Sequence, residues 1–436
     1  MVSLMTAVVP TARSVAIDLI AAVLRRKRPL DDAIEDDGGI GTLLPRDRAF
    51  ARLLVATVLR RLGQIDAVIA HCLSTPLPPR AAMVHDMLRL GIAQLLFLRT
   101  PAHAAVATTV DLAEQRGFVS HKGLVNAVLR RLSQEGAAAL ENQDAPRLNT
   151  PDWLWQSWTR TYGEETCRAI AAAHLREAPL DITVRADPEH WANALEAMIL
   201  PTGTLRRPAG GAITALPGYG EGAWWIQDAA AAIPARLLGA TAGQRVVDLC
   251  AAPGGKTAQL AATGAQVTAI DRSQRRLDRL IVNLNRLGLS VETVAGDAGL
   301  WQPETPVDGV LLDAPCTATG AIRRHPDVPH LKTPDDVTRL AVVQERLLAA
   351  AAEMVVPGGT LVYCTCSLES EEGPDQIARL LGRGAPFDRV PVQPEEVGGL
   401  VEFITPLGDL RTLPSHLAEL EGIDGFFACR LLRRKD

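Results

Sequence analysis

The stretch Val246–Leu260, "VVDLCAAPGGKTAQL", leaves an apolar strand through a Pro-Gly-Gly turn and enters a helical pattern. Gly254 and Gly255 let the backbone approach a ligand, and the helix N-terminus offers amides. Two phosphate-binding patterns fail here. A P-loop needs glycine five positions before the Gly255-Lys256 pair, where Cys250 stands, and adjacent glycines do not make G-x-G-x-x-G. The next strand ends in Asp271, placed to meet the two hydroxyls of a ribose. Asp297 ends a third strand, where an adenine edge would come, and Asp313 ends a fourth. One such acid is commonly a turn or cap residue. Three, on successive strands behind a glycine turn, point to S-adenosylmethionine, which offers ribose and adenine but no phosphate.

Outward from this point, residues 221–436 alternate short β-rich runs with helices. The expected strands are "RVVDLC", "QVTAID", "VETVAGD", "VDGVLLD" and "TLVYCTC", with "FDRVPV" and "GFFACRLL" closing the sheet. That order predicts an α/β, Rossmann-like, doubly wound and mainly parallel sheet, with ligands at the carboxyl ends of its strands. Residues 1–140 read instead as an all-α domain, with helices expected over 12–28 and through about 46–140. Between them, residues 141–220 read as a small α+β connector. It has a helix from Trp153 to His174, the strand "DITVRA", the helix "HWANALEAMIL" and the strand "AITAL".

The totals describe a globular chain of 436 residues, 47% hydrophobic and 22% charged, with a net charge of −5. The charge is uneven: residues 1–140 carry 17 Lys+Arg against 12 Asp+Glu, the remainder 28 against 38. Arg25, Arg26 and Arg28, then Arg60 and Arg61, then Arg130 and Arg131 fall at expected helix ends. There they either complement helix dipoles or meet RNA phosphates, and both readings stand. The seven cysteines are scattered and odd in number, so a disulfide framework is excluded, and no zinc spacing is present. No metal is expected. At the N-terminus the basic cluster follows the apolar residues, the reverse of a signal peptide, and no run reaches a membrane span. A cytoplasmic, monomeric protein is expected.

Two further runs carry chemistry. "DAPCTATG" sets Cys316 on the loop after the fourth strand, and "YCTCS" sets Cys366 at the end of the fifth. If those strands are neighbours, two thiols share one crevice beside the cofactor. Methylation of a pyrimidine at carbon 5 needs such a thiol: its addition to carbon 6 makes carbon 5 nucleophilic. A nearby cation such as Lys256 would raise the thiolate fraction. Arg323, Arg324 and His325 follow the loop, where they could steer phosphates or lie solvated.

Together "DLCAAPGGKT", "DAPCTATGAIRRHPD", "LVYCTCSLESEE" and "DGFFACRL" resemble the motifs of the bacterial 16S rRNA (cytosine-5) methyltransferase B family. The resemblance spans nearly the whole chain. It implies an N-terminal RNA-binding module similar to the antitermination factor NusB and a Rossmann-like catalytic domain. It makes Cys366 the nucleophile and Cys316 the thiol that assists release of methylated RNA. Asp313 would hold the cytosine and Lys256 would help orient it. Cys250, Ala251, Ala252, Pro253, Gly254, Gly255 and Lys256, with Asp271, Asp297 and Asp313, would hold S-adenosylmethionine. In DNA cytosine methyltransferases the Pro-Cys thiol attacks, and by that pattern the nucleophile would be Cys316. The family has alanine where this chain has Cys364, and the connector carries Thr183 and Arg185 in place of the family's Arg and Asn. Two other classes stay open: a 5-methylcytosine methyltransferase of another RNA such as tRNA, and a catalytically silent RNA-binding scaffold.

Overall fold

The computed structural model describes residues 10–435. The first nine residues, on which the reading of the N-terminus partly rests, lie outside the described residues. The chain divides into two compact units, Met1–Gln156 with His325–Lys332, and Ser157–Arg324 with Thr333–Asp436. Among the described residues no helix is long and apolar enough to cross a membrane, and no cluster of three His, Cys, Asp or Glu could hold a metal ion.

In the first unit, helices Ala12–Leu24, Pro45–Arg60, Leu62–Cys72, Ala82–Ile92, Ala102–Gln115 and Lys122–Glu135 enclose one apolar core. Ile17, Leu54, Val58, Leu88 and Leu129 are fully buried in it. The first helix begins at a reciprocal cap between Thr11 and Ser14 and ends at Leu24, four residues short of expectation. The arginines at helix ends have partners within the unit. Arg25 pairs with buried Asp86, Arg28 with Asp36 and Arg131 with Glu135; Arg61 donates to Gln64 and lies 5.3 Å from the Phe97 ring centre. The segment His325–Lys332 belongs to this unit. Asp327 accepts from the Leu30 amide at 2.9 Å, and His330 Nε2 donates to the Leu59 carbonyl at 2.8 Å. Burial lowers the His330 pKa, which keeps the ring neutral and suited to that single donation.

The second unit contains two sheets. The smaller is antiparallel, in order β2-β3-β1-β4, from β1 (Leu180–Val184), β2 (Met198–Ile199), β3 (Leu205–Arg207) and β4 (Trp224–Ile226). Three expectations for the connector are corrected here. The long helix is two, Asp152–Tyr162 and Glu164–His174, broken where Gly163 adopts φ +83°. The second helix stops at Ala194, so Met198 and Ile199 form a strand. "AITAL" is a 3-10 turn, Ile213–Ala215, and β3 takes its place. The run "LRR" of β3 is charged, yet Arg206 is buried in a double ion pair with Asp181, at 2.7 Å for each bond.

The larger sheet comprises β5 (Arg245–Leu249), β6 (Gln266–Asp271), β7 (Glu292–Ala295), β8 (Val307–Asp313), β9 (Val355–Thr365), β10 (Phe387–Arg389), β11 (Leu410–Thr412) and β12 (Phe426–Arg433). Its order is β10-β12-β9-β8-β5-β6-β7, with β11 on β12. The β5–β9 strands pair in parallel, and β10, β11 and β12 add an antiparallel edge. Apolar clusters lie on the two sheet faces, around Leu311 and Ile423 and around Leu312 and Leu347. The order reverses at β5, which lies between β8 and β6. In open α/β sheets such a reversal is where a ligand crevice forms, beyond the carboxyl ends of the strands.

Candidate active site

The loop from Cys250 to Lys256 leaves β5 in an unusual backbone conformation. Cys250 has φ +61°, and Gly254, at φ +102°, precedes the helix Gly255–Ala262. A Cβ at Gly254 would stand 2.8 Å from Leu280 Cγ, so both dihedral and space demand glycine. Ala251 and Ala252 are buried beneath the loop and Pro253 is exposed. Asp271, 3% exposed at the end of β6, accepts from the Ala252 amide at 3.2 Å and the Ser273 amide at 2.9 Å, with Arg276 at 3.6 Å. It fixes the loop. Burial pushes the Cys250 thiol up to about 12, and the surrounding carboxylates act in the same sense, so it stays protonated. Asp248, missed in the sequence, is buried beneath the loop and accepts from Thr257 at 2.5 Å. Burial raises its carboxyl to about 7 against that hydrogen bond.

Asp297 lies more open. It accepts from the Gly299 amide at 2.8 Å and from Arg346 at 3.0 and 2.9 Å, bonds that hold it below the usual carboxylate range. Arg346, from the helix Pro334–Met354, was not foreseen at this place.

Asp313 stands between the cofactor end and the thiols. Its Oδ2 accepts from Lys256 Nζ at 2.8 Å and its Oδ1 from Cys364 Sγ at 3.5 Å. Burial opposes the Lys256 charge, but Asp313, with Cys364 and Cys366 beyond it, holds the ammonium above its ordinary pKa. Its Nζ also lies 4.8 Å from the Phe426 ring centre. Cys364 is fully buried, as expected of a small apolar residue, and the hydrogen bond to Asp313 gives it a second contact role.

The thiols meet because β8 and β9 are adjacent and in register, with Asp313 opposite Cys364. Cys316 Sγ and Cys366 Sγ lie 3.5 Å apart, both partly exposed. The Ala314 amide donates to the Cys364 carbonyl and the Gly320 amide to the Cys366 carbonyl, each at 2.9 Å, so the two loops are laced together. The bond to Cys366, then burial, then the charges of Cys366 and Glu372 raise the Cys316 pKa well above its ordinary value.

Arg323 and Arg324 correct both readings offered for them. Arg323 is 1% exposed and pairs with Asp424 at 3.2 Å and Asp228 at 3.8 Å; Arg324 pairs with Asp228, Asp424 and Asp181 at 2.7, 3.1 and 3.4 Å. They tie the loop that follows β8 to the connector and are neither solvated nor placed for phosphates. His325 lies in the helical unit, 3.6 Å from Asp31. In the connector, Thr183 donates to Gln227 and Arg185 to the Leu287 carbonyl, so both positions serve packing within the unit.

Comparison with known proteins follows this division. Residues 235–432 match the family model described as 16S rRNA methyltransferase RsmB/F, and residues 10–134 match the NusB family. The chain is 38% identical over 360 residues to ribosomal RNA small subunit methyltransferase B of Vibrio cholerae serotype O1, covering 78% of this chain and 82% of that protein. It is 34% identical over 432 residues to the protein of that name from Cronobacter sakazakii, covering 93% and 97%. The chain belongs to the RsmB/F methyltransferase family. Among solved structures it is similar to PH0851, with a TM-score of 0.73 at 23% identity over 96% of this chain and 98% of that one. It also resembles NSun6 from Pyrococcus horikoshii, solved with SFG, at a TM-score of 0.54 and 21% identity over 66% and 99%. Both likenesses concern the fold.

Proposed function

We propose that this RsmB/F-family protein methylates carbon 5 of a cytosine in 16S rRNA, using S-adenosylmethionine, with Cys366 as nucleophile and Cys316 assisting release. The observation that carries the reading is the pair of thiols 3.5 Å apart at the carboxyl ends of adjacent parallel strands, beside the Lys256–Asp313 pair. The donor set fits the cofactor. Asp271, Asp297 and Asp313 offer acceptors to hydroxyls and an amino edge, whereas a phosphate would meet three like charges. The run Cys250–Lys256 would supply the backbone wall of that site.

The chain's residues then act as follows. Cys366 attacks as the thiolate, with the Cys316 S–H donating to it. The new sulfur–carbon 6 bond turns carbon 5 into an enamine-like nucleophile. Asp313, paired with Lys256, holds the cytosine at ring nitrogen 3 or the amino group. S-adenosylmethionine, when bound, supplies the methyl group that carbon 5 takes. Carbon 5 then gives its proton to solvent, and the C–H electrons restore the double bond to carbon 6. The carbon 6–sulfur electrons return to Cys366, where Cys316 S–H receives the departing thiolate. The target base must leave its stack to reach the thiols. The NusB-like helical unit is the natural RNA-holding partner of this site.

Nucleoside analysis of 16S rRNA after incubation with the protein and labelled S-adenosylmethionine tests the reading. Label in 5-methylcytosine is expected from wild type and none from Cys366→Ala. Label confined to tRNA, or none from wild type, overturns the substrate assignment.

A further inference from the structure

Glu372 lies in the acidic run "LESEE", six residues after Cys366, yet it is fully buried. Its carboxylate accepts from the Thr317 amide at 3.0 and 3.2 Å and from the Thr317 hydroxyl, from the Ser367 hydroxyl at 2.5 Å, and from Gln344 Nε2 at 3.0 Å. Thr317 is the residue after Cys316, and Ser367 is the residue after Cys366. A single carboxylate thus grips both thiol-bearing loops one residue beyond the sulfur. Gln344 also donates to the Pro315 carbonyl at 2.9 Å, which brackets Cys316 on its other side. Glu372 is itself held from β9, where Tyr363 and Thr365 hydroxyls donate to its backbone carbonyl at 2.7 and 3.3 Å.

We propose that Glu372 is a positioning residue for the methyl-transfer reaction: it sets the spacing of the two thiols, so that Cys316 reaches Cys366 when the product leaves. The inference rests on the thiol roles proposed above. The carboxylate takes hydrogen bonds from two amides and two hydroxyls at once, and an acceptor-only carboxylate accepts from all four. Burial raises the Glu372 pKa, and the bonds from Ser367, Thr317 and Gln344 act against that rise. Its charge also contributes to keeping Cys316 protonated, behind the Cys366 bond and burial.

Glu372→Gln keeps the reach of the side chain but turns a donor toward Thr317, Ser367 or Gln344. Two measurements on the full-length variant separate positioning from mere support. In the first, oxidation by diamide, which takes two electrons and two protons from the thiols, is followed by peptide mapping of the Cys316–Cys366 disulfide. The rate is expected to fall at least about tenfold in Glu372→Gln, compared at a temperature where both proteins are folded, with S-adenosylmethionine affinity close to wild type. In the second, turnover on 16S rRNA is expected to fall about 10–100-fold in kcat, the scale of an ångström-level misplacement, with KM for RNA within about twofold and with covalent adduct accumulating. Wild-type disulfide and turnover rates in the variant overturn the proposal. If Glu372→Gln does not fold, Thr317→Val decides: it keeps the carboxylate and removes one donor on the Cys316 side. Slower disulfide formation supports the proposal and an unchanged rate overturns it. The disulfide measurement needs no RNA, so failure of the rRNA assignment is seen separately, as wild type that labels nothing.

Discussion

At the ends of β5 and β6 the protein fixes a backbone loop, whereas at the ends of β8 and β9 it holds side chains against each other. On the cofactor side the key features are backbone: positive φ at Cys250 and Gly254, and the Ala252 amide bound to Asp271. On the thiol side, two hydroxyls, a backbone amide and a side-chain amide converge on the Glu372 carboxylate, one residue beyond each of the two sulfurs. The first kind of site is encoded in a contiguous run. The second is assembled only when β8 and β9 lie side by side, and its tolerances are those of side-chain packing. Lys256 joins the two, since it leaves the cofactor loop and pairs with Asp313 beside the thiols.

If that joint matters, its removal should have the largest effect. Lys256→Met strips Asp313 of its only ion pair among the described residues. We expect kcat on rRNA to fall at least about a hundredfold, with the protein folded by circular dichroism. A loss below about fivefold would show that the two ends work independently.

Next comes the loop itself. Gly254→Ala adds a Cβ 2.8 Å from Leu280 Cγ at φ +102°, and thermal unfolding should register a loss of about 2–3 kcal/mol. Cofactor affinity by calorimetry should fall with it, while the diamide-driven Cys316–Cys366 disulfide forms at the wild-type rate. A slower disulfide would mean the loop also shapes the thiol side.

The buried carboxyl of Asp248 gives a pH signature confined to the cofactor side. Its pKa is about 7 in the folded chain, against an ordinary aspartate value of 3.8 once unfolded. Between those values the folded chain keeps a proton that the unfolded chain has lost, so stability falls as pH rises through that window. The loss is on the order of 4 kcal/mol. Denaturant unfolding of Asp248→Asn should lack this slope; an unchanged slope would place the titration elsewhere. The smallest effect is expected from Cys364→Ala, which removes one weak S–H bond to Asp313 and a small buried volume. About 1 kcal/mol of stability and less than about threefold in rate are expected in unfolding and turnover assays.

The same contrast explains what was legible in the chain. Strands β5–β9 announce themselves as short apolar runs ending in acids or cysteines, and their helical spacers imply parallel neighbours. The pairing of Cys316 with Cys366 followed from that order once β8 and β9 proved adjacent. Charged residues in the interior left no such trace. Arg323 and Arg324 read as phosphate-steering or solvated, and nothing singled out Arg206 or Glu372, because their burial depends on partners 25 to over 100 residues away. Local pattern reports which face of an element is apolar; it does not report which charges are neutralised across elements. The split of the Trp153–His174 helix was within reach, since Gly163 stands at the break.

The most direct test of the whole account is the covalent adduct. Wild type, Cys366→Ala and Cys316→Ala are each incubated with 16S rRNA and labelled S-adenosylmethionine, and denaturation-resistant protein–RNA complex is quantified. The account predicts neither adduct nor label transfer for Cys366→Ala, and accumulated adduct with little turnover for Cys316→Ala. An adduct that survives in Cys366→Ala and vanishes in Cys316→Ala would contradict it and make Cys316 the nucleophile.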